Sequence, residues 1–241
     1  MIANALRNSI RSGEYRPGHQ LPSTSVLRQR YSVATQTVNN AINMLRDEGL
    51  VEGRVGAGVF VRERPTVKRL ARNRLSGRER DAGRGAFMTD AAVGGFEVDV
   101  EVDVRFEPAD AATAETLRIA TGDEVVVRER VMSADGIPVQ LATSRLPRAV
   151  TRGTRIEQDD TGPGGTHKRL EDAGHVLDHG TELVKGRPAT VEEAKLLRLQ
   201  PGAPVLEVVR VVTTTAGLPV EVNRMVLAGE RYELVYEIDM G

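Results

Sequence analysis

The chain has 241 residues, enough for one large domain or two small ones and for a core that needs no disulfide or metal staple. Hydrophobic residues at 40%, charged residues at 28%, no cysteine and aromatics at 3% without Trp exclude a wholly disordered chain, thiolate chemistry, iron–sulfur clusters and disulfide frameworks, and argue against aromatic stacking platforms. The formal charge of −1 hides an asymmetry: residues 1 to 64 carry +4 and residues 65 to 85 carry +5, so the remainder carries −10, the pattern of a basic end that meets a polyanion and an acidic body with another task.

Ile2, Leu6 and Ile10 recur at a spacing of four, predicting a first helix that Gly13 stops. After a turn at Pro17 and Gly18, Ser23 is the expected N-cap of a short second helix with Val26 and Leu27 facing inward, ending at Tyr31 and Ser32. A third helix begins at Ala34 or Thr35, repeats Val38, Ala41, Ile42 and Leu45 at helical spacing, and stops at Gly49. Leu50 to Glu52 and Val59 to Arg62 read as two strands around a Gly56-Ala57-Gly58 tip. Three helices and a hairpin make a winged helix-turn-helix.

The third helix places Thr35, Gln36, Thr37, Asn39 and Asn40 on its polar side, side chains that reach donors and acceptors on base edges in a major groove. Arg16, Arg28, Arg30 and Arg54 flank it as phosphate partners, and the wing glycines Gly56 and Gly58 allow close backbone approach to a sugar-phosphate edge. A solvated helix face has the same composition, so these residues alone leave a protein-docking module open. The run from Ile10 to Val61, with Gly13, Pro17, Gly18, Leu21, Pro22, Ser23, Thr37, Ala41, Leu45, Gly49, Gly56 and Gly58 on the pattern, resembles the DNA-binding domain of the GntR family of bacterial transcription regulators. The resemblance implies double-stranded operator DNA as partner. Thr35 and Asn39 stand where relatives often carry Arg, and Ala57 where a basic residue is frequent, so base preference does not transfer.

Residues 65 to 94, rich in Arg and Gly and nearly without periodicity, read as a linker between a domain at 1–64 and one at 95–241. Residues 96 to 106 then alternate strictly, Val98, Val100, Val102 and Val104 against Asp99, Glu101, Asp103 and Arg105, as a half-buried strand does. Pro108-Ala109, Leu117-Arg118, Gly122, Val125 and Arg130 recur 80 residues later as Pro188-Ala189, Leu197-Arg198, Gly202, Val205 and Arg210. Each copy reads helix, strand, turn, strand, with Thr190 and Glu193 forming a capping box, and together they predict one antiparallel sheet with helices packed on it, an α+β domain. Chance likeness between two generic units is the competing explanation.

This second half resembles the UTRA domain of the HutC subfamily of GntR regulators, over residues 95 to 239, in stretches such as DTGPGGTHKRLEDAGH and GLPVEVNRMVLAGERYELVYE. The resemblance implies a chorismate-lyase-like fold and a small-molecule effector. Arg128 and Arg130 project from one strand face and suit an anion, and the family's R-x-R here contacts effector; a solvated face paired with acids is the alternative. His167, where Tyr is common, and Glu221 match pocket positions, whereas Gly165 replaces a frequent Ser and Ala142 a frequent Glu, which weakens a phosphosugar reading.

No GxSxG, Walker or GxGxxG sequence occurs. His175 and His179 follow Gly174, which ends a helix, and on a strand they would stand about 13 Å apart, so no metal site is expected. The expectation is a cytoplasmic transcription regulator, a repressor, binding operator DNA as a homodimer and controlled by a small effector, with no cofactor, no catalytic residue and no membrane partner. A docking module or a lyase-like metabolite binder is the competing reading.

Overall fold

The computed structural model describes residues 2–62, 66–71 and 74–238. The chain divides between Arg64 and Pro65 into two compact units. Of the domain and linker ends expected from the sequence, residues 1, 64, 65 and 241 lie outside the described residues.

In the first unit α1 (Ile2–Arg11), α2 (Thr24–Tyr31) and α3 (Thr35–Asp47) precede a hairpin of β1 (Val51–Arg54) and β2 (Gly58–Val61), paired from Val51 against Val61 to Arg54 against Gly58. Leu6, Leu27, Val38 and Leu45 are fully sealed where the helices meet, and Val51 and Val61 close the core from the hairpin. The Ser23 hydroxyl caps α2 by accepting from the Val26 amide at 3.4 Å. Val26 itself does not face inward: it is 50% exposed. Successive helix positions diverge by about 100°, so the turn that drives Leu27 into the core swings Val26 toward solvent. Ser32 adopts a left-handed conformation, and Ala34 is extended before α3 begins, which makes the sharp turn between the two helices.

The second unit opens with β3 (Val67–Leu70), α4 (Gly77–Asp81) and α5 (Ala86–Gly94). Then follow β4 (Val98–Pro108), α6 (Ala111–Leu117), β5 (Glu124–Ala134), β6 (Ile137–Pro147), α7 (Arg148–Thr151), α8 (Gly165–Asp172), β7 (Leu177–Pro188), α9 (Val191–Leu196), β8 (Pro204–Thr214), β9 (Pro219–Ala228) and β10 (Tyr232–Val235). Six strands form one antiparallel sheet in the order β4-β5-β6-β9-β8-β7. The repeated stretches are β4-α6-β5-β6 and β7-α9-β8-β9, joined where β6 pairs β9. Their correspondence extends to strain: Arg118 and Arg198, 80 residues apart, both turn left-handed at φ 54° and 51°, and Gly122 and Gly202 follow at φ 90° and 74°. Helices α6 and α9 cover one face of the sheet, sealing Leu117 on Val125 and Val127, and Leu197 on Val205 and Val226.

The segment expected to be a linker is part of this second unit. Strand β3 pairs in parallel with β10, Val67 against Tyr232, and Phe87 of α5 enters the core with Met132, Val208 and Met225 on the sheet face opposite α6 and α9. Its elements are only four, five and nine residues long, too short to build a hydrophobic period, and much of what they bury is charged. Arg69 and Arg74 are almost inaccessible, Arg69 paired with Glu182 and Arg74 with Asp90 at 3.0 and 2.5 Å. Arg80 binds Glu171 at 3.0 and 2.6 Å, and Arg84 binds Glu79 at 2.7 Å. Much of the positive charge of residues 65 to 85 is therefore spent on carboxylates of its own unit rather than offered to a polyanion.

The capping box at α9 is present: the Thr190 hydroxyl accepts from the Glu193 amide, and the Glu193 carboxylate accepts from the Thr190 amide at 2.9 Å. Arg187 grips the same carboxylate with two bonds of 2.7 Å and holds Glu193 down to about 2, against a burial effect that works the other way. Thr190→Ala should cost about 1 kcal/mol in urea unfolding. Because the folded-state value lies below the ordinary 4.5, the contribution of Glu193 is complete above that pH and drains as pH falls toward 2. The penalty of Glu193→Gln relative to the parent should accordingly shrink between neutral pH and about pH 3.

Candidate functional site

Helix α3 buries Val38, Ala41, Ile42 and Leu45, and a helix with one buried stripe must present the rest of its circumference to solvent. Thr35, Gln36, Thr37, Asn39 and Asn40 are all exposed. The Gln36 amide donates to Asn40 Oδ1 at 2.9 Å, so two side chains one turn apart form a fixed polar edge. Around it the sequence-selected arginines separate into two kinds. Arg28 is exposed, and among the described residues its guanidinium has no partner, as is true of Arg16. Arg30 donates to the Tyr15 hydroxyl at 2.9 Å and lies 3.7 Å from Glu14, while Arg54 binds Glu52 at 3.0 Å and stacks on Phe60 at 4.4 Å. Arg54 thus stiffens the hairpin whose tip it flanks.

Gly56 and Gly58 hold φ of 72° and 113°, values that side-chain-bearing residues rarely adopt. At Gly58 there is a second reason: an added Cβ would stand 2.5 Å from Gln20 Nε2, which donates to the Ala57 carbonyl at 2.6 Å and ties the hairpin tip to the loop before α2. Gln20 carried no sequence signal for this task. Ser23 spends its hydroxyl on the α2 cap and on Ser25 Oγ at 2.9 Å.

In the second unit, the sheet face opposite α6 and α9 carries a cavity of about 630 Å³, roofed by α5, α8 and the segments around residues 74–85 and 159–167. Arg128, Arg130, His167 and Glu221 all line it, so the four positions selected from the sequence converge. Glu221 is 1% exposed and ties three of them together: Ser144 donates to its Oε1 at 2.7 Å, the His167 ring lies 2.8 Å from its Oε2, and Arg130 donates to Ser144. Burial alone would raise Glu221, but His167, Arg210 and Arg130 outweigh it and hold the carboxyl well below the ordinary carboxylate range.

Arg128 is differently employed. Its guanidinium donates to the carbonyls of Ile156, at 2.7 Å, of Gln158, and of Asp159, at 2.8 Å, so it anchors the segment that brings Asp159, Asp160 and Thr161 to the cavity rim. The two guanidiniums are therefore unequally engaged, and Nε of each is left without a partner. Residues that the sequence did not mark as effector contacts complete the lining, chiefly Arg74, Gln140, Arg210 and Asn223. Arg210 was legible as the repeat mate of Arg130; Arg74 lay in a stretch whose lack of pattern concealed it. His175 lies in the turn after α8 and His179 on β7 beside Asp178 and Thr213, both away from the cavity lining.

The sequence matches the gntR family of bacterial regulatory proteins over residues 1–61 and the UTRA domain over residues 95–233. It is 34% identical to an uncharacterized HTH-type transcriptional regulator of Streptomyces coelicolor, over 98% of this chain and 90% of that one. The histidine utilization repressor of Klebsiella aerogenes is 28% identical over 97% of this chain and 91% of its own. The crystal structure of PhnF from Mycobacterium smegmatis, 21% identical and covering 100% of both chains, shares the fold with a TM-score of 0.64. The docking-module and lyase-like readings give way to this match. A helix-turn-helix with an open polar α3 face, followed by a sheet domain enclosing a charged cavity, places the chain in the HutC subfamily of the GntR family: a transcription regulator, not an enzyme, with a DNA-binding winged helix and an effector-binding UTRA domain.

Proposed function

We propose that this regulator is a repressor that binds a near-palindromic operator as a homodimer and leaves it when an anionic metabolite fills the UTRA cavity. The observation that carries the anionic reading is the population of buried, unpartnered donor atoms around the cavity: Nη1 of Arg74 and Nε of Arg128, Arg130 and Arg210. An unmade hydrogen bond on a buried guanidinium is costly, so a ligand with acceptor oxygens gains more there than a neutral one. Arg130, His167 and Glu221 would contact it directly, and Arg128 through its remaining Nε.

On the DNA side, Gln36, Asn40 and their neighbours Thr35, Thr37 and Asn39 would read base edges. Ser23, Arg28, Arg30 and Arg54 would meet phosphates, with Gly56 and Gly58 shaping the wing. Two-fold operator symmetry asks for two recognition helices about 34 Å apart, hence a dimer. Among the described residues no helix is long and apolar enough to cross a membrane, and a regulator of this kind works in the cytoplasm, where the chromosome is. Release follows if effector binding favours a dimer geometry that misfits the half-sites.

A gel shift of the full chain on promoter DNA upstream of its own gene should give salt-sensitive, sequence-selective retardation, and equal retardation of unrelated DNA would refute the operator reading. Gln36→Ala should weaken operator binding by about 1–3 kcal/mol and relax selectivity at one position, whereas Arg28→Ala should weaken all sequences alike and lower the salt slope by about 1. In the UTRA domain, Arg128→Ala should destabilise by about 1.5–3 kcal/mol in urea because three carbonyls lose their shared donor, a loss expected even in the ligand-free protein.

A further inference from the structure

Strand register places a single row of side chains across the roofed face of the sheet: Arg128 on β5, Ser144 on β6, Asn223 on β9, Arg210 on β8 and Glu182 on β7. One row over, Arg130 on β5 is followed by Ala142, Met225, Val208 and Val184, so beyond β5 the polar row runs beside apolar ground. Arg128 and Arg210 are three strands apart in that row, about 14 Å between Cα atoms at the usual strand spacing. The cavity therefore has two cationic ends. The β5 end is partly satisfied by carbonyls and by Ser144, as described above.

The β8 end is not. Arg210 is 4% exposed, its Nε has no partner, and its contact with Glu182 is long, 3.5 Å, on a carboxylate that Arg69 also holds. Asn223, next to it on β9 and 3% exposed, leaves Oδ1 without a partner, but that oxygen is an acceptor and offers an anion nothing. Above them Arg74 binds Asp90 through Nε and Nη2 and keeps Nη1 buried and unused. Three guanidiniums, of Arg69, Arg74 and Arg210, thus face Asp90, Glu182 and a Glu221 already engaged by His167 and Ser144. Burial pulls Arg210 down to about 10 despite the nearby Glu221 and Glu182, the behaviour of a cation short of counter-charge.

We infer that Arg74 and Arg210 form a second oxyanion subsite, separate from the Arg128 and Arg130 end, which takes a carboxylate or phosphate group of the effector. This inference rests on the effector reading above and specifies where in the cavity the charge is held. Arg74 belongs to the segment that follows the DNA-binding unit in the chain, and Arg210 belongs to the sheet. An oxyanion here cross-links the two, so occupancy fastens that segment to the body of the domain.

The test uses the full chain, with inorganic phosphate and acetate as probes at constant ionic strength and chloride as the background anion. Saturable binding is read from the rise of the unfolding midpoint with probe concentration. The parent protein should bind at least one of the two probes, the better one naming the oxyanion, and Arg210→Gln should weaken that binding at least about tenfold, the loss of one charge-assisted hydrogen-bond pair. Arg74→Lys keeps a cation beside Asp90 but removes the spare Nη1 donor and should weaken it too, which keeps the assignment testable if Arg210→Gln folds poorly. Amide exchange of residues 77–94 should slow on adding the bound probe to the parent and not to Arg210→Gln. If the probe binds the parent and both variants equally but is lost in Arg130→Gln, the subsite is overturned while the effector cavity stands. If neither probe binds a parent protein that still retards promoter DNA, the subsite and the anionic effector fall together and the DNA-binding reading survives.

Discussion

A guanidinium removed from water must find acceptors nearby, and the second unit of this protein is arranged around that requirement. Its sheet carries a polar row through an apolar face, and the row brings Arg128 and Arg210 into the interior. Each is met in a different currency: backbone carbonyls for Arg128, a shared carboxylate for Arg210. Residues 66–71 and 74–94 supply answering groups, Asp90 among them, together with cations of their own, Arg69 and Arg74, that need answering in turn. A buried pair of this kind adds little to stability compared with an apolar contact, yet it is severe against mispairing, since removing one partner strands the other.

The first unit handles arginine in the opposite way. Arg16 and Arg28 stay in solvent, where a charge costs nothing to keep and remains available to phosphates. Its core is wholly aliphatic, with Leu6, Leu27, Val38 and Leu45 sealed, so the polar groups of α3 are left for recognition rather than for folding. One protein thus uses a single residue type for two ends: exposed arginines act at long range and without shape, buried ones act at short range and select by geometry.

The internal repeat gives the cavity its asymmetry. Two equivalent halves build the sheet, matched down to left-handed turns at Arg118 and Arg198. At the cavity floor the copies diverge: Arg128 corresponds to Val208 and, past one added residue in the second copy, Gln140 to Glu221 and Ala142 to Asn223, while Arg130 and Arg210 match. Only one copy supplies a buried carboxylate, which His167 and Ser144 then hold ionised. A symmetric frame with unequal side chains distinguishes the two ends of a ligand, a property a perfectly repeated sheet would lack.

Local pattern was enough for much of this. Apolar residues at spacings of three and four named α1 and α3, the Gly56 to Gly58 tip marked the hairpin, strict alternation marked β4, and the repeat foretold an antiparallel sheet with two helices on one face. Arg130, His167 and Glu221 were readable as cavity residues through the resemblance to the UTRA domain, and Arg128 was placed there with a role the structure redirected. These signals survive in the sequence because a helix or strand buries one face of its own, and that face repeats with the element's period. What no local rule could supply was the fate of residues 66–94 and the partners of Arg74, Arg69 and Arg210. Those elements are short and bury charge rather than a periodic apolar face, and their partners lie up to 113 residues away, as Glu182 does from Arg69. Whether an arginine meets a phosphate in solvent or a carboxylate inside the fold depends on which strands become neighbours, and tertiary packing alone decides that.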